Sequence, residues 1–519
     1  MSVTPVHPRT EPPGDAGDLS GFGYGQQLRR KIGSYGSFAA GFSFVSILTT
    51  VFQLFSFGFS FAGPAFVWTW PIVLGGQLLV ALCFAELAAR YPISGAIYQW
   101  ASRLGGRGWG WTAGWLMIAA QMVTLAGAAI ALQVVLPPVW SGFQLVGGDS
   151  SLTSVTGAAN AVVLGVLLLG LTTAINAIGV RLMSVVNSVG VTCELVGVAL
   201  LCVALFSHAE RGPGVVLRTQ GVGGHGYLWA FVVSGLMASY VLVGFDSAGE
   251  LSEETRDPRR TTPRTILRAV LVSGLGGALM LLATVMSADS VDDGSLGDPA
   301  RGLPYVLTSR LGDTLGRAFL VDVAIAVTVC TLAIQTAATR MVFSMARDRV
   351  LPFADGLAKV NPRTGTPVRS SVLVGVLAAA LLLVNVGNAA LFTTLASVCI
   401  MLLYLAYLMV TLPLLVRRLR GRLPAADGLF GLGRWGVVVN VLAVVWGAVM
   451  AVNLGWPRAE VFDPQGGHTY LQWFAPLFLG GALLVGALAY AVQARRSTAT
   501  PVDTVDTVDA PALALGGAE

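Results

Sequence analysis

Charge is what this chain has least of. Only 11% of its 519 residues are Asp, Glu, Lys or Arg, against about 25% in a typical soluble domain. So few charges cannot cover the surface of a soluble protein of this length, which excludes an ordinary cytosolic enzyme. With 55% hydrophobic residues, a disordered chain is excluded as well. Cysteine is also sparse: Cys83, Cys193, Cys202, Cys330 and Cys399 all fall in apolar runs without paired or metal-ligand spacing, so they act as small apolar residues. The four histidines, His7, His208, His225 and His468, are scattered, and no zinc spacing is present. No Walker-type glycine loop occurs, so ATP does not drive this chain directly and no cofactor is expected. Ten-residue alternation of apolar and polar positions is missing, which argues against a transmembrane β-barrel. The polar first twenty residues lack a basic stretch followed by a short apolar run, so no cleavable signal peptide is expected.

What is abundant is long apolar sequence. Mean hydropathy is +0.73, and a bilayer-spanning helix needs roughly 20 mostly apolar residues. Twelve stretches qualify: about 36–61, 66–89, 109–136, 157–179, 184–206, 228–249, 264–287, 316–341, 367–386, 389–416, 434–454 and 473–493. The sequence therefore predicts an all-α polytopic membrane protein with twelve transmembrane helices. Placing the N-terminus in the cytoplasm puts 26 of the 32 Lys and Arg on the inner side and 6 on the outer. The positive-inside rule then places both termini in the cytoplasm of a cell-membrane protein. The net charge of +5 is thus a topology signal and not a nucleic-acid footprint. Residues 1–33 and 497–519, the latter with a Val-Asp-Thr repeat from Val502, are expected to be disordered.

Two spans carry signs of a break. In the first, Ser46, Thr49 and Thr50 lie near mid-depth, where hydroxyls can start a new helix by capping free N–H groups. An intact helix whose hydroxyls bond their own carbonyls fits the same spacing. In the sixth, Gly244 permits a break, and Ser247 with Glu250 has capping-box spacing, so a short helix is expected from about Ser247. Unwound backbone at membrane depth is tolerated where it lines a cavity. Transporters place such breaks at matching positions of two inverted repeats. Breaks in spans 1 and 6 make 34–206 (helices 1–5) the first repeat and 207–416 (helices 6–10) the inverted one, with two extra helices in 417–496. Tyr98–Gly105 and Tyr305–Gly312 match at five of eight positions on opposite sides of the membrane, as inversion requires.

Ionisable groups at membrane depth are costly and usually face the bundle interior. Glu194 lies near mid-depth of span 5. It reads as a proton-coupling or cation-contacting site, or equally as a neutral acid hydrogen-bonded between helices. Asp246 combines an acid, a break and a helix start, with local capping as its alternative. Asp322 in span 8 is expected to pair with Arg317. Thr328 and Thr331 are candidate cation ligands that more often bond their own backbone. Gln121 in span 3 reaches the cavity or bridges helices. Glu86 reads as a loop-packing residue.

Three segments together resemble the amino acid–polyamine–organocation superfamily of permeases. They are Ala81–Tyr98, Gly244–Thr255 with Asp257–Arg260 and Pro263-Arg264, and Arg340–Pro352 with Pro362–Pro367. The resemblance covers about residues 22–495 and is strongest to the amino acid/choline transporter branch, which includes γ-aminobutyrate and choline permeases. It implies a 5+5 inverted-repeat fold with broken helices 1 and 6, a central site at the breaks and alternating access. In that family an aromatic four residues before the sixth-span glycine closes over substrate; here it is Tyr240. The acid two residues after the glycine, Asp246, helps coordinate the break. Leu48-Thr49-Thr50 stands where many members have a Gly-x-Gly turn for the substrate carboxylate, and Glu194 stands where several carry a sodium-replacing lysine.

The substrate site implied is therefore Ser46, Leu48, Thr49, Thr50, Gln121, Tyr240, Val243, Gly244, Phe245 and Asp246, with coupling at Glu194, Asp246, Thr328 and Thr331. The function implied is secondary active transport of an amino acid or related amine such as γ-aminobutyrate, with a proton or sodium as coupling partner, or by exchange. A choline or polyamine permease is the alternative substrate class. A nutrient receptor on a permease scaffold is the alternative of another kind, and a channel fits a single inverted-repeat chain poorly.

Overall fold

The structure, a computed structural model, describes residue 19 and residues 21–496, apart from 153, 221–225, 293, 299–300, 388, 424–427 and 463–470. His225, His468 and the Val-Asp-Thr repeat lie outside the described residues. Among the described residues the chain is helical, and strand geometry is confined to one isolated bridge, Ile32 with Thr255. Nine helices among the described residues are long and apolar enough to cross a membrane. One of these, Ser34–Arg90, contains two crossings, and two shorter apolar helices, Tyr227–Val241 and Val368–Val384, complete the twelve expected from the sequence. Helix is the form these apolar runs must take, because it satisfies every backbone N–H and C=O within the segment.

Span 1 is divided into 1a (Ser34–Val45) and 1b (Ile47–Ala62), and the sixth into 6a (Tyr227–Val241) and the single turn 6b (Ser247–Glu250). Span 2 is Thr69–Arg90, span 3 Arg107–Val139, span 4 Val155–Ile178 and span 5 Val180–Ser207. Span 7 is Pro258–Ser287, and span 8 is the major part of Gly302–Arg347. Spans 9 to 12 are Val368–Gly387, Ala389–Leu419, Gly436–Gly455 and Phe474–Arg496. Span 3 is mostly buried inside the bundle, whereas span 12 is largely exposed and lies at its edge.

The two matched segments both form short helices bounded by glycines. After span 2, a loop helix (Ala96–Gly105) follows Gly95 at φ 85. After span 7, Gly302 at φ 46 opens a helix that bends at Gly312, φ 72, before span 8 proper begins. Tyr305–Gly312 thus forms a helix, as Tyr98–Gly105 does. A glycine at each end provides the left-handed backbone that turns these short helices.

One further expectation is corrected. Disorder expected through residue 33 does not hold for residues 21–33, which pack along the arginine-rich face. Leu28 and Ile32 are buried there, and Ile32 N–H donates to Glu254 O at 2.9 Å. Apolar burial and backbone pairing with the segment after span 6b offset the ordering cost that composition alone predicts would win.

Candidate functional site

The break in span 1 is one residue wide. Ser46 takes φ 34 and ψ 92, a conformation that costs a residue with a Cβ on the order of 1–3 kcal/mol and persists only where its surroundings fix it. Here they do. The Ser46 hydroxyl donates to Glu194 Oε1 at 3.0 Å, and the backbone N–H of Leu48 donates to the same oxygen at 3.1 Å. The span 5 carboxylate thus caps the start of span 1b, where unpaired N–H groups and the helix dipole favour an anion. Thr49 Oγ1 lies 2.7 Å from Ser46 Oγ, and Thr50 Oγ1 donates back to Ser46 O at 2.7 Å. The intact-helix alternative for span 1 therefore falls. Cys330 of span 8 closes the far side of the break, with its thiol 3.8 Å from Phe44 O.

The break in span 6 runs over residues 242–246 and is stitched by a residue the sequence did not single out. Tyr407 of span 10 accepts from the Gly244 N–H at 2.9 Å and donates its hydroxyl to Asp246 Oδ1. Gly244 sits at φ 90, and a Cβ there would come within 1.7 Å of Phe44. Only glycine lets the two breaks approach this closely. Val243 and Phe245 are buried, and Phe245 packs against Tyr407 and Phe84, with ring centroids 5.5 and 6.0 Å apart. The expected capping box is not formed. The Ser247 hydroxyl donates instead to Ala40 O of span 1a at 3.0 Å, and Asp246 makes no side-chain cap. Tertiary partners outbid the local ones because both breaks are held by neighbouring spans.

Tyr240 is partly exposed within the bundle, and a Cβ on Gly127 of span 3 would lie 3.4 Å from its hydroxyl. Gln53 of span 1b donates to Gly127 O at 3.0 Å, so spans 1b, 3 and 6a converge there. Gln121, six residues along span 3, is fully buried, and both of its amide atoms lack a protein partner. The outer carboxylate oxygens Glu194 Oε2 and Asp246 Oδ2 are likewise buried without one. Buried polar side chains with unsatisfied atoms are costly in an apolar bundle.

The remaining candidates separate. Thr328 and Thr331 donate to Ala324 O and Val327 O of their own helix, at 2.9 and 2.8 Å. Glu194 and Asp246 do not share a partner: the first serves the span 1 break, the second the span 6 break. Asp322 does not pair with Arg317, which lies 3.6 Å from Asp313. Asp322 Oδ2 instead packs on Gly197 of span 5 and has no partner. Arg317 is five residues from Asp322 but four from Asp313, and the four-residue spacing is the one that makes side chains neighbours on a helix. Glu86 pairs with Arg90 at 3.0 Å and with Arg418, as expected of a packing residue.

The arginine-rich face beneath the breaks is sealed. Glu254 binds Arg340 at 2.9 Å with both side chains buried, and Glu253 accepts two bonds from Arg347 at 2.9 and 3.0 Å. Glu253 also accepts the Ser94 N–H at 3.1 Å. Asp348 accepts from Tyr24 and Tyr98, both at 2.8 Å, and the Arg347 guanidinium lies 4.0 Å from the Tyr24 ring centroid. Burial, with Asp348 beside it, pushes the Tyr24 phenol up to about 12. The segment after span 6b, the N-terminal strap (residues 21–33), the loop helix and the end of span 8 are thus tied together at the arginine-rich end of the bundle. Glu254 and Glu253 lie within the sixth-span segment, but nothing in the sequence singled them out or pointed to their partners, which lie 86 and 94 residues away.

A helical bundle whose first and sixth spans are broken side by side is the scaffold of a membrane transporter. The chain belongs to the amino acid permease family, which matches residues 32–483. It is 27% identical to the amino-acid permease BAT1 homolog of Oryza sativa subsp. japonica, covering 95% of this chain and 97% of that one. It is 26% identical to amino-acid permease BAT1 of Arabidopsis thaliana, covering 94% and 96%. Its fold is similar to that of MhsT, solved in complex with L-phenylalanine. That match has a TM-score of 0.56 at 14% identity and covers 80% of this chain and 97% of the other.

Proposed function

We propose that this amino acid permease is a secondary active transporter that moves an amino acid or related amine, such as γ-aminobutyrate, across the cytoplasmic membrane by alternating access. In this reading the arginine-rich face is cytoplasmic and both termini lie there. The observation that carries it is the pair of facing breaks, with Gln121, Glu194 and Asp246 keeping unpartnered buried atoms. The unpartnered side-chain atoms of Gln121, Glu194 and Asp246 bind the substrate's polar ends, and Tyr240 closes over it from 6a. The seal of Glu253, Glu254, Arg340, Arg347 and Asp348 holds the cytoplasmic side shut until the substrate is loaded.

Glu194 is the coupling group of this reading. As an anion it ties span 5 to the span 1 break through Ser46 and Leu48. Charge-assisted bonds of this kind are roughly twice as strong as neutral ones. Protonation of Glu194 therefore loosens the tie and lets 1a and 1b move relative to span 5. Purified protein in liposomes, offered labelled amino acids, γ-aminobutyrate, choline and polyamines with imposed pH or sodium gradients, tests this. The expected result is saturable, counterflow-competent uptake of one amino acid or amine, driven by an inward proton gradient. Binding without translocation would make the chain a receptor, and unsaturable flux would make it a channel.

A further inference from the structure

Asp322 is an intramembrane acid that the site described above does not use. Span 8 runs antiparallel to span 5 at close range: Gly190 faces Val329, and Gly197 faces Asp322. Seven residues on one helix thus match seven on the other in reverse. A Cβ at Gly197 would lie 1.6 Å from Asp322 Oδ2, so this glycine makes the room the carboxylate occupies. Glu194 lies three residues from Gly197 on the same face of span 5, roughly 4.5 Å along the helix axis. Each acid keeps a buried oxygen without a protein partner, Glu194 Oε2 and Asp322 Oδ2. Asp322 is partly exposed while Glu194 is fully buried, and Asp322 is the one nearer the face opposite the seal.

Spans 1a, 4, 7 and 8 pack on span 5, and span 1b, which carries no titratable side chain, meets it at Glu194. Span 1a offers Tyr35, whose hydroxyl lies 2.7 Å from that of Thr192. Span 4 carries no titratable side chain. The arginines of span 7 (Arg259, Arg260, Arg264, Arg268) all lie in its first turns at the arginine-rich end. Span 8 offers Cys330 at the break, Arg317 beside Asp313, and Arg340 and Arg347 within the seal. Span 5 itself adds Arg181 at its arginine-rich end, together with Cys193 and Cys202.

We propose that Asp322 is the entry relay for the coupling proton, receiving it from the side opposite the seal and passing it to Glu194 Oε2. This rests on Glu194 being the coupling group. The step breaks one O–H bond on the Asp322 carboxyl and forms one on Glu194, directly or through one water, and leaves Asp322 as a carboxylate to be reprotonated from outside. No other bond changes.

The test uses full-length protein in liposomes with the labelled panel supplied as a mixture. Asp322→Asn is expected to slow uptake driven by a pH gradient at least 10-fold and to flatten its dependence on external pH. Counterflow at equal pH on both sides needs no net proton movement and is expected to stay within 2-fold of wild type. Asp322→Ser, smaller and also unable to carry the proton on, is expected to behave alike. A wild-type gradient-driven rate and pH profile in either variant overturns the relay. Loss of counterflow together with driven uptake in both variants assigns Asp322 to packing and overturns it equally. Glu194→Gln separates the two ideas. If it keeps full gradient-driven accumulation, the coupling reading falls. If it loses accumulation while Asp322→Asn does not, the relay alone falls.

Discussion

Removing one oxygen from Tyr407 is expected to unfasten the span 6 break. Its hydroxyl accepts from Gly244 N–H and donates to Asp246, and all three residues are buried. Tyr407→Phe keeps the ring packing on Phe84 and Phe245 but leaves an amide N–H and a carboxylate oxygen without a partner. Each orphaned neutral group costs about 1–3 kcal/mol, and a hydrogen bond to a charged group is worth about 1.5–3 kcal/mol. Because the Gly244 and Asp246 groups shape the proposed site, part of this loss is expected in substrate affinity. A share of about 1.4 kcal/mol is a tenfold rise in Kd. A double-mutant cycle isolates the contact: Tyr407→Phe, Asp246→Asn and both together, read as thermal stability in detergent and as Kd. A coupling energy of about 1 kcal/mol or more is expected, since contacting groups are not additive. Additivity within about 0.5 kcal/mol, with unchanged Kd in Tyr407→Phe, would refute the idea that Tyr407 holds the break.

Gly244→Ala forces a side chain onto φ 90 and within 1.7 Å of Phe44. At least a 100-fold loss of uptake with protein still inserted is the expected outcome, and near-normal uptake would show that the breaks need not approach so closely. Arg347→Ala removes both bonds to buried Glu253; breaking a buried pair costs about 3–5 kcal/mol. The seal should open more often, so that Cys330 reacts with a membrane-impermeant thiol reagent at least 10-fold faster from the arginine-rich side, as read by mass spectrometry. An unchanged Cys330 rate would mean the seal lies elsewhere. Because the Tyr24 phenol is raised from 10.0 to about 12, its contribution is fully present below pH 10 and is lost as pH rises through about 12. Proteolysis of the N-terminal strap is therefore expected to stay slow up to about pH 10 and to accelerate above it; strap release below pH 9 would contradict this.

Much of the architecture was legible because membrane helices announce themselves. Twelve apolar runs and an arginine count separated by side demand twelve crossings, whatever the packing. The break at Gly244 was readable from a glycine followed by an acid. The break at Ser46 was ambiguous, since a serine in an apolar helix bonds its own backbone as readily as it ends one. What decided it is Glu194, 148 residues away, reaching the Ser46 hydroxyl and the Leu48 N–H. Thr328 and Thr331 looked like ligands by type, yet their hydroxyls turn to the preceding turn. Tyr407 was invisible because the same span offers Tyr404 three residues earlier as an equal candidate.

Local sequence thus determined which segments are helices, which face carries the positive charge and where the chain is free to break, because these depend on solvation and backbone freedom within one segment. Tertiary structure alone decided which buried oxygens meet which orphaned N–H groups, which acid finds an arginine, and which, like Asp322 on Gly197, is left facing another helix without one. Those choices depend on the register between helices far apart in the chain, and no pattern within a single helix encodes it.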